Sequence, residues 1–211
     1  MIWGSRSSPG SAVRLGATLA LTLAWLGFGP GAQAQDFARN LGESDKAFAA
    51  RILHLPKGKE PNVTAAAWNG APTLFVDYET GREEDSPERP LVALQRQPSG
   101  TYRLLRVTVG ETEGGRPNIA AIGFANADRD PAKELIVILT WDTRHLDVEG
   151  TSYEVRIFDD PQGGQTSLKM LKLSDHFGAD CECSWSDGSS RRYRFKTIAA
   201  VKAELKKLGY D

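Results

Sequence analysis

The chain is poor in the residues that most often carry chemistry. It has two cysteines and three histidines in 211 residues. So few cysteines exclude a disulfide-stapled mini-scaffold. No His/Cys set has zinc-ligand spacing; only His176 lies near Cys181 and Cys183 in the sequence. No Gly-x-Ser-x-Gly element is present. There is no phosphate-cradling glycine loop: Gly163-Gly164 lacks a following Lys-Ser/Thr, and Gly114-Gly115 runs into Arg116-Pro117. No segment repeats at a fixed period, which argues against a complete propeller or solenoid. Positive charge is not in surplus either, so nucleic acid is a poor partner.

Long apolar runs are also scarce. The longest, Leu15 to Phe28, covers about 14 residues, where a membrane-spanning helix needs roughly 20. Arg6 and Arg14 precede or flank its start, and no acidic residue occurs before Asp36. Pro30-Gly31 breaks the run, and Ala32-Gln33-Ala34 puts small residues where a signal peptidase reads. This layout predicts a signal peptide over 1–34, cleaved after Ala34, with an uncleaved anchor as the alternative. Residue 35 is Gln, so no lipidated cysteine follows. The expected mature chain of 177 residues holds 24 basic and 27 acidic groups, a net charge of about −3. The expected location is periplasmic or secreted, with no membrane contact after cleavage.

Residues 35–62 read as an N-terminal helical lead-in. Ser44 caps a helix over Asp45 to Leu55, with Phe48, Ile52 and Leu55 on one face. Residues 63–211 read as an antiparallel β domain with a C-terminal helix at 198–208. Strands are expected at Val63–Trp68, Thr73–Tyr78, Leu91–Arg96, Tyr102–Val109, Ile119–Phe124, Leu135–Trp141, Thr151–Phe158, Leu168–Leu173, Cys181–Trp185 and Arg191–Lys196. Asn69-Gly70, Pro98-Ser99-Gly100 and Asp187-Gly188 supply tight turns. Glu79 to Pro90 and Glu111 to Pro117 read as exposed loops, and Asp159 to Gly164 as a turn. Thr197 caps the last helix and Gly209 stops it, with Ile198, Val201, Leu205 and Leu208 as the buried stripe. The fold class is therefore mainly β (α+β): an antiparallel sheet or sandwich of about nine strands with a C-terminal helix.

The sharpest chemical signal lies between two of these strands. Asn126, Asp128, Asp130 and Glu134 stand at positions 1, 3, 5 and 9 of one loop, and the carbonyl of Ala132 occupies position 7. Calcium takes six to eight oxygens, and alternate residues of a wound loop direct theirs at one centre. With its flanking strands Ile119–Phe124 and Leu135–Ile138, the segment resembles the calcium loop of FG-GAP and VCBS-type repeats. The resemblance covers about 25 residues of this chain. It implies calcium binding through Asn126, Asp128, Asp130 and Glu134. Two positions depart from that pattern: Asn126 replaces an aspartate, and Pro131 stands where a glycine provides left-handed backbone. An EF-hand fits less well, because Val137 occupies its position 12. The alternatives are a vestigial loop of this kind that no longer binds metal, and a plain acidic turn between two strands.

Other residues are less selective. Cys181 and Cys183 allow a local disulfide, free thiols, a link to another chain, or redox or metal use. Asp142 and His145 could share a site at a strand end. Glu43, Asp77, Glu79, Asp147 and Glu149 are candidate carboxylates with no spacing that selects a pair. Trp68, Trp141, Trp185, Tyr78, Tyr102, Tyr153 and Tyr193 could stack on sugars or pack in the core. The expected function is an exported, non-enzymatic β-rich module with a structural calcium loop that presents a surface to a protein or glycan of the cell envelope. The alternatives are an extracytoplasmic hydrolase, with the 124–134 loop facing Asp142 and His145 across a cleft, or an inhibitor or immunity-type protein.

Overall fold

Asn69 and Gly70 take φ of 49° and 80°, the paired left-handed conformations that a two-residue hairpin turn demands. Their hairpin opens the first of two sheets in the computed structural model, which describes residues 35–80, 87–113 and 115–210. The expected leader over 1–34 lies outside the described residues, as do Glu83, Glu84 and Asp85 of the charged loop.

The first sheet contains β1 (Asp36–Phe37), β2 (Asn62–Trp68), β3 (Ala71–Asp77), β4 (Arg89–Arg96) and β5 (Tyr102–Gly110), in the order β1-β5-β4-β3-β2. The second contains β6 (Pro117–Ala125), β7 (Glu134–Arg144), β8 (Val148–Phe158), β9 (Ala179–Trp185) and β10 (Ser190–Arg191), in the order β10-β9-β8-β7-β6. All pairs of these strands are antiparallel. The helices are α1 (Asp45–Ile52), α2 (Ser174–Phe177) and α3 (Ile198–Lys207).

Three apolar clusters stack these elements into four layers. Between the sheets, Trp68, Phe75, Leu91 and Leu105 meet Leu135, Val137, Leu139 and Trp141. On the far side of the first sheet, Leu74, Val76, Val92 and Leu94 pack under Phe48, Ala49 and Ile52 of α1. On the far side of the second, Ile136, Ile138, Val155 and Ile157 pack under Phe177, Val201 and Leu205. Leu135 to Leu139 are all fully buried because β7 is covered on both faces. This is why its sequence is continuously apolar rather than alternating. Each such side chain contributes roughly 1.5–3 kcal/mol by leaving water.

The helix caps arise from local chemistry. Ser44 Oγ accepts from Ala47 N at 3.2 Å, and Thr197 Oγ1 from Ala200 N at 3.2 Å. α1 ends at Ile52 rather than Leu55, because His54 turns to φ 51° and Leu55 N donates back to Ala50 O at 3.0 Å. His54 is exposed there. In α3, Val201 and Leu205 are buried, but Leu208, the C-cap residue, lies 43% exposed outside the stripe.

Two expected strands are corrected. Leu168–Leu173 does not form a strand. Its backbone is divided between the sheets: Leu168 N donates to Arg106 O at 2.8 Å, whereas Leu171 N donates to Ile157 O at 2.8 Å. The segment thus crosses from one sheet to the other, with Leu168 buried between them. Arg191–Lys196 leaves the sheet after Arg191. The Tyr193 hydroxyl donates to the carbonyls of Phe177 and Gly178 at 3.1 and 3.0 Å. Phe195 meets Phe177 edge-on with centroids 4.9 Å apart. Burial of these two rings outweighs continued strand pairing. Cys181 and Cys183 form the local disulfide, with Cα atoms 5.4 Å apart.

Candidate metal centre

The loop of residues 126–133 joins the end of β6 to the start of β7. Short polar side chains fold it onto itself. Asp128 Oδ1 accepts from Asp130 N at 2.8 Å, and Asp130 Oδ1 accepts from Ala132 N at 2.7 Å. These are the Asx turns by which aspartate competes with regular structure. Asn126 Nδ2 donates to Asp130 O at 2.9 Å. None of residues 126–133 has a positive φ, so the loop turns without the left-handed residue a glycine at 131 supplies. The exit of the loop is held by the opposite sheet. Lys133 N donates to Asn69 Oδ1 at 2.9 Å, and Lys133 O accepts from Trp68 Nε1 at 2.6 Å and Asn69 Nδ2 at 3.1 Å.

Glu134, the first residue of β7, has no solvent exposure. Its Oε2 accepts from Ala127 N, while its Oε1 is buried with no hydrogen-bond partner, as is Asn126 Oδ1. Burial pushes the Glu134 carboxyl up to about 7. The Ala127 N–H opposes that rise, and the charges of Asp128 and Asp130 add to it. One carboxylate oxygen each from Asp128, Asp130 and Glu134 can be chosen so that all lie within 4.8 Å of one another.

A second group of acids meets the same glutamate. Oxygens of Glu134, Asp159 and Asp160 also lie within 4.8 Å of one another. Sheet register produces this meeting: Leu135 pairs with Phe158, so the residue before one and the residues after the other reach the same end of the sheet. Asp160 is likewise raised, first by burial and then by Asp130, Asp159 and Asp128. Among the described residues, none of these five carboxylates belongs to an ion pair with a basic side chain. Sequence reasoning missed Asp159 and Asp160, because their dipeptide before a proline reads as a plain turn. The available signal was their position immediately after a strand that pairs with β7.

Among the expected ligands, the structure therefore places Asp128, Asp130 and Glu134 together. Asn126 lies in the same loop with its amide oxygen free of donors, and Ala132 sits in the loop with its N–H committed to Asp130. The donors are all oxygens, which suits a hard cation such as calcium rather than zinc or copper.

The other candidate groups do not join this site. Asp142 stands eight residues beyond Glu134 on β7, roughly 27 Å away at the strand's rise. His145 lies farther on, at the β7–β8 turn, in a hollow of about 360 Å³ with Asp147, Glu149 and Trp185. The expected cleft between the acidic loop and Asp142/His145 is therefore absent from this arrangement. Ser152 shares its hydroxyl with Thr143 at 2.8 Å, and His176 pairs with Glu204 at 3.4 Å. Of the seven aromatic residues, Trp68, Trp141, Tyr102 and Tyr193 are buried in the core clusters, whereas Trp185, Tyr78 and Tyr153 are half-buried. Compared with known proteins, the chain gives no significant match to a family model, a curated protein or a solved structure.

Proposed function

We propose that this chain is an exported, non-enzymatic β-rich module in which the 126–134 loop holds a structural calcium ion and the outer surface serves a protein or glycan partner of the cell envelope. The observation that carries the metal reading is the buried, donor-free Oε1 of Glu134 among carboxylates that no basic side chain neutralises among the described residues. An ionised carboxylate buried in that state costs several kcal/mol, and a divalent cation removes the cost. The likeness of Asn126, Asp128, Asp130 and Glu134 to an FG-GAP or VCBS-type loop supports the same ion. The leader supports export to a compartment where even a Kd of order 10⁻⁴–10⁻³ M suffices. The ion is structural because its ligands sit at strand ends tied into both sheets, at the far end of β7 from Asp142 and His145.

Thermal melting of the mature protein tests this reading. Calcium at ten times its Kd adds about 1.4 kcal/mol. For a domain of this size that raises the Tm by roughly 3–6 °C over the chelated protein. Asp128→Ala is expected to abolish the rise. A wild-type Tm unmoved by about 10 mM calcium, ten times the weakest Kd considered, overturns the assignment.

A further inference from the structure

We propose that Asp159 and Asp160 are ligands of the same ion, so that calcium joins the β6–β7 loop to the end of β8 rather than bracing the loop alone. This inference rests on the calcium reading above and extends it to residues outside any loop pattern. Three observations carry it. Glu134 belongs to two acidic triads, each closing within 4.8 Å, one with Asp128 and Asp130 and one with Asp159 and Asp160. Oxygens on opposite sides of a calcium ion stand about 5 Å apart, twice the usual bond length, so two triads that share Glu134 need not close within 4.8 Å of each other to ligate one ion. Second, Glu134 is fully buried and its Oε1 lacks a donor, so the residue common to both triads keeps an oxygen free for a ligand. Third, among the described residues neither Asp159 nor Asp160 belongs to an ion pair, and their one side-chain donor is Gln162 Nε2, on Asp160 Oδ1 at 3.1 Å.

The consequence is mechanical. Asp159 N donates to Lys169 O at 2.9 Å, at the start of the segment that crosses between the sheets through Leu168. An ion held from both sides therefore orders this crossover and ties it to the β6–β7 loop. Without the ion, like charges push the two pieces of chain apart.

Calcium titration calorimetry and amide hydrogen exchange on the mature protein test the proposal, with Asp128→Asn and Asp159→Asn/Asp160→Asn compared against wild type. The expected result is one ion per chain, at least tenfold weaker binding in the double variant, and slower exchange on calcium addition in both 126–134 and 159–168. Protection confined to 126–134, with less than twofold change in the double variant, overturns the shared site while leaving the calcium loop intact. Two ions per chain, only one of them lost in the double variant, overturns it too. Absence of any calcium binding by the wild type removes both readings. The exchange pattern of the wild type decides the matter even if a variant folds poorly.

Discussion

At the scale of single residues, Glu134 sets the character of the acidic cluster. It is buried, accepts one backbone N–H, and keeps a second oxygen without a donor. Its folded carboxyl titrates near 7, above the ordinary 4.5. The folded metal-free protein therefore holds this proton more tightly than the unfolded chain does. That contribution to stability is fully present below pH 4.5 and is lost as the pH rises through about 7. In chelator, urea midpoints should fall across that interval. Glu134→Gln should flatten the fall and raise the chelated protein's midpoint at pH 7.5, since an amide oxygen can still accept from Ala127 N. The same variant should lose the response to calcium. A Glu134→Gln protein that is less stable than wild type in chelator and still responds to calcium would show that the charge is already satisfied by other means.

At the scale of elements, α1 is the helix whose end is least suited to its residue. His54 occupies the left-handed position after the C-cap, where glycine is usual because a Cβ costs roughly 1–2 kcal/mol there. Its side chain is exposed, so little packing is at risk. His54→Gly is expected to stabilise the protein by about 1 kcal/mol, measured by chemical denaturation. A loss of stability would mean that the imidazole makes a contact the fold depends on. The strands tell a different story. β7 buries both faces, so its residues report burial rather than orientation. The 168–173 segment alternates like a strand, yet it spends its hydrogen bonds on two different sheets. Alternation records which side chains are covered, and it is blind to which backbone accepts the bonds.

At the scale of the molecule, the two sheets are linked through the acidic loop. Trp68, in the core between the sheets, donates its indole N–H to Lys133 O, and Asn69 brackets the same peptide. The β2–β3 turn of one sheet thereby fixes the loop that starts β7 of the other. Trp68→Phe keeps most of the packing and removes that hydrogen bond. It should cost about 1 kcal/mol or somewhat more by urea unfolding and weaken calcium binding several-fold, because the loop exit loses one of its anchors. Unchanged calcium affinity would show that the loop is positioned from its own strands alone.

Much of this was legible in local chemistry. Ser44 and Thr197 cap their helices because their hydroxyls satisfy free N–H groups within one turn. Asn69-Gly70 makes its turn because both residues tolerate positive φ. Loop spacing brought Asp128, Asp130 and Glu134 together because those groups are at most six residues apart. What no stretch of chain could reveal was the company of Asp159 and Asp160. They lie 25 or more residues from Glu134, and only the antiparallel pairing of Leu135 with Phe158 puts them beside it. The same holds for Trp68, whose indole reaches Lys133 across 65 positions. Turns and caps are settled by interactions within a few residues. A site assembled from separate strand ends is settled by sheet register and by the burial that holds one sheet on the other.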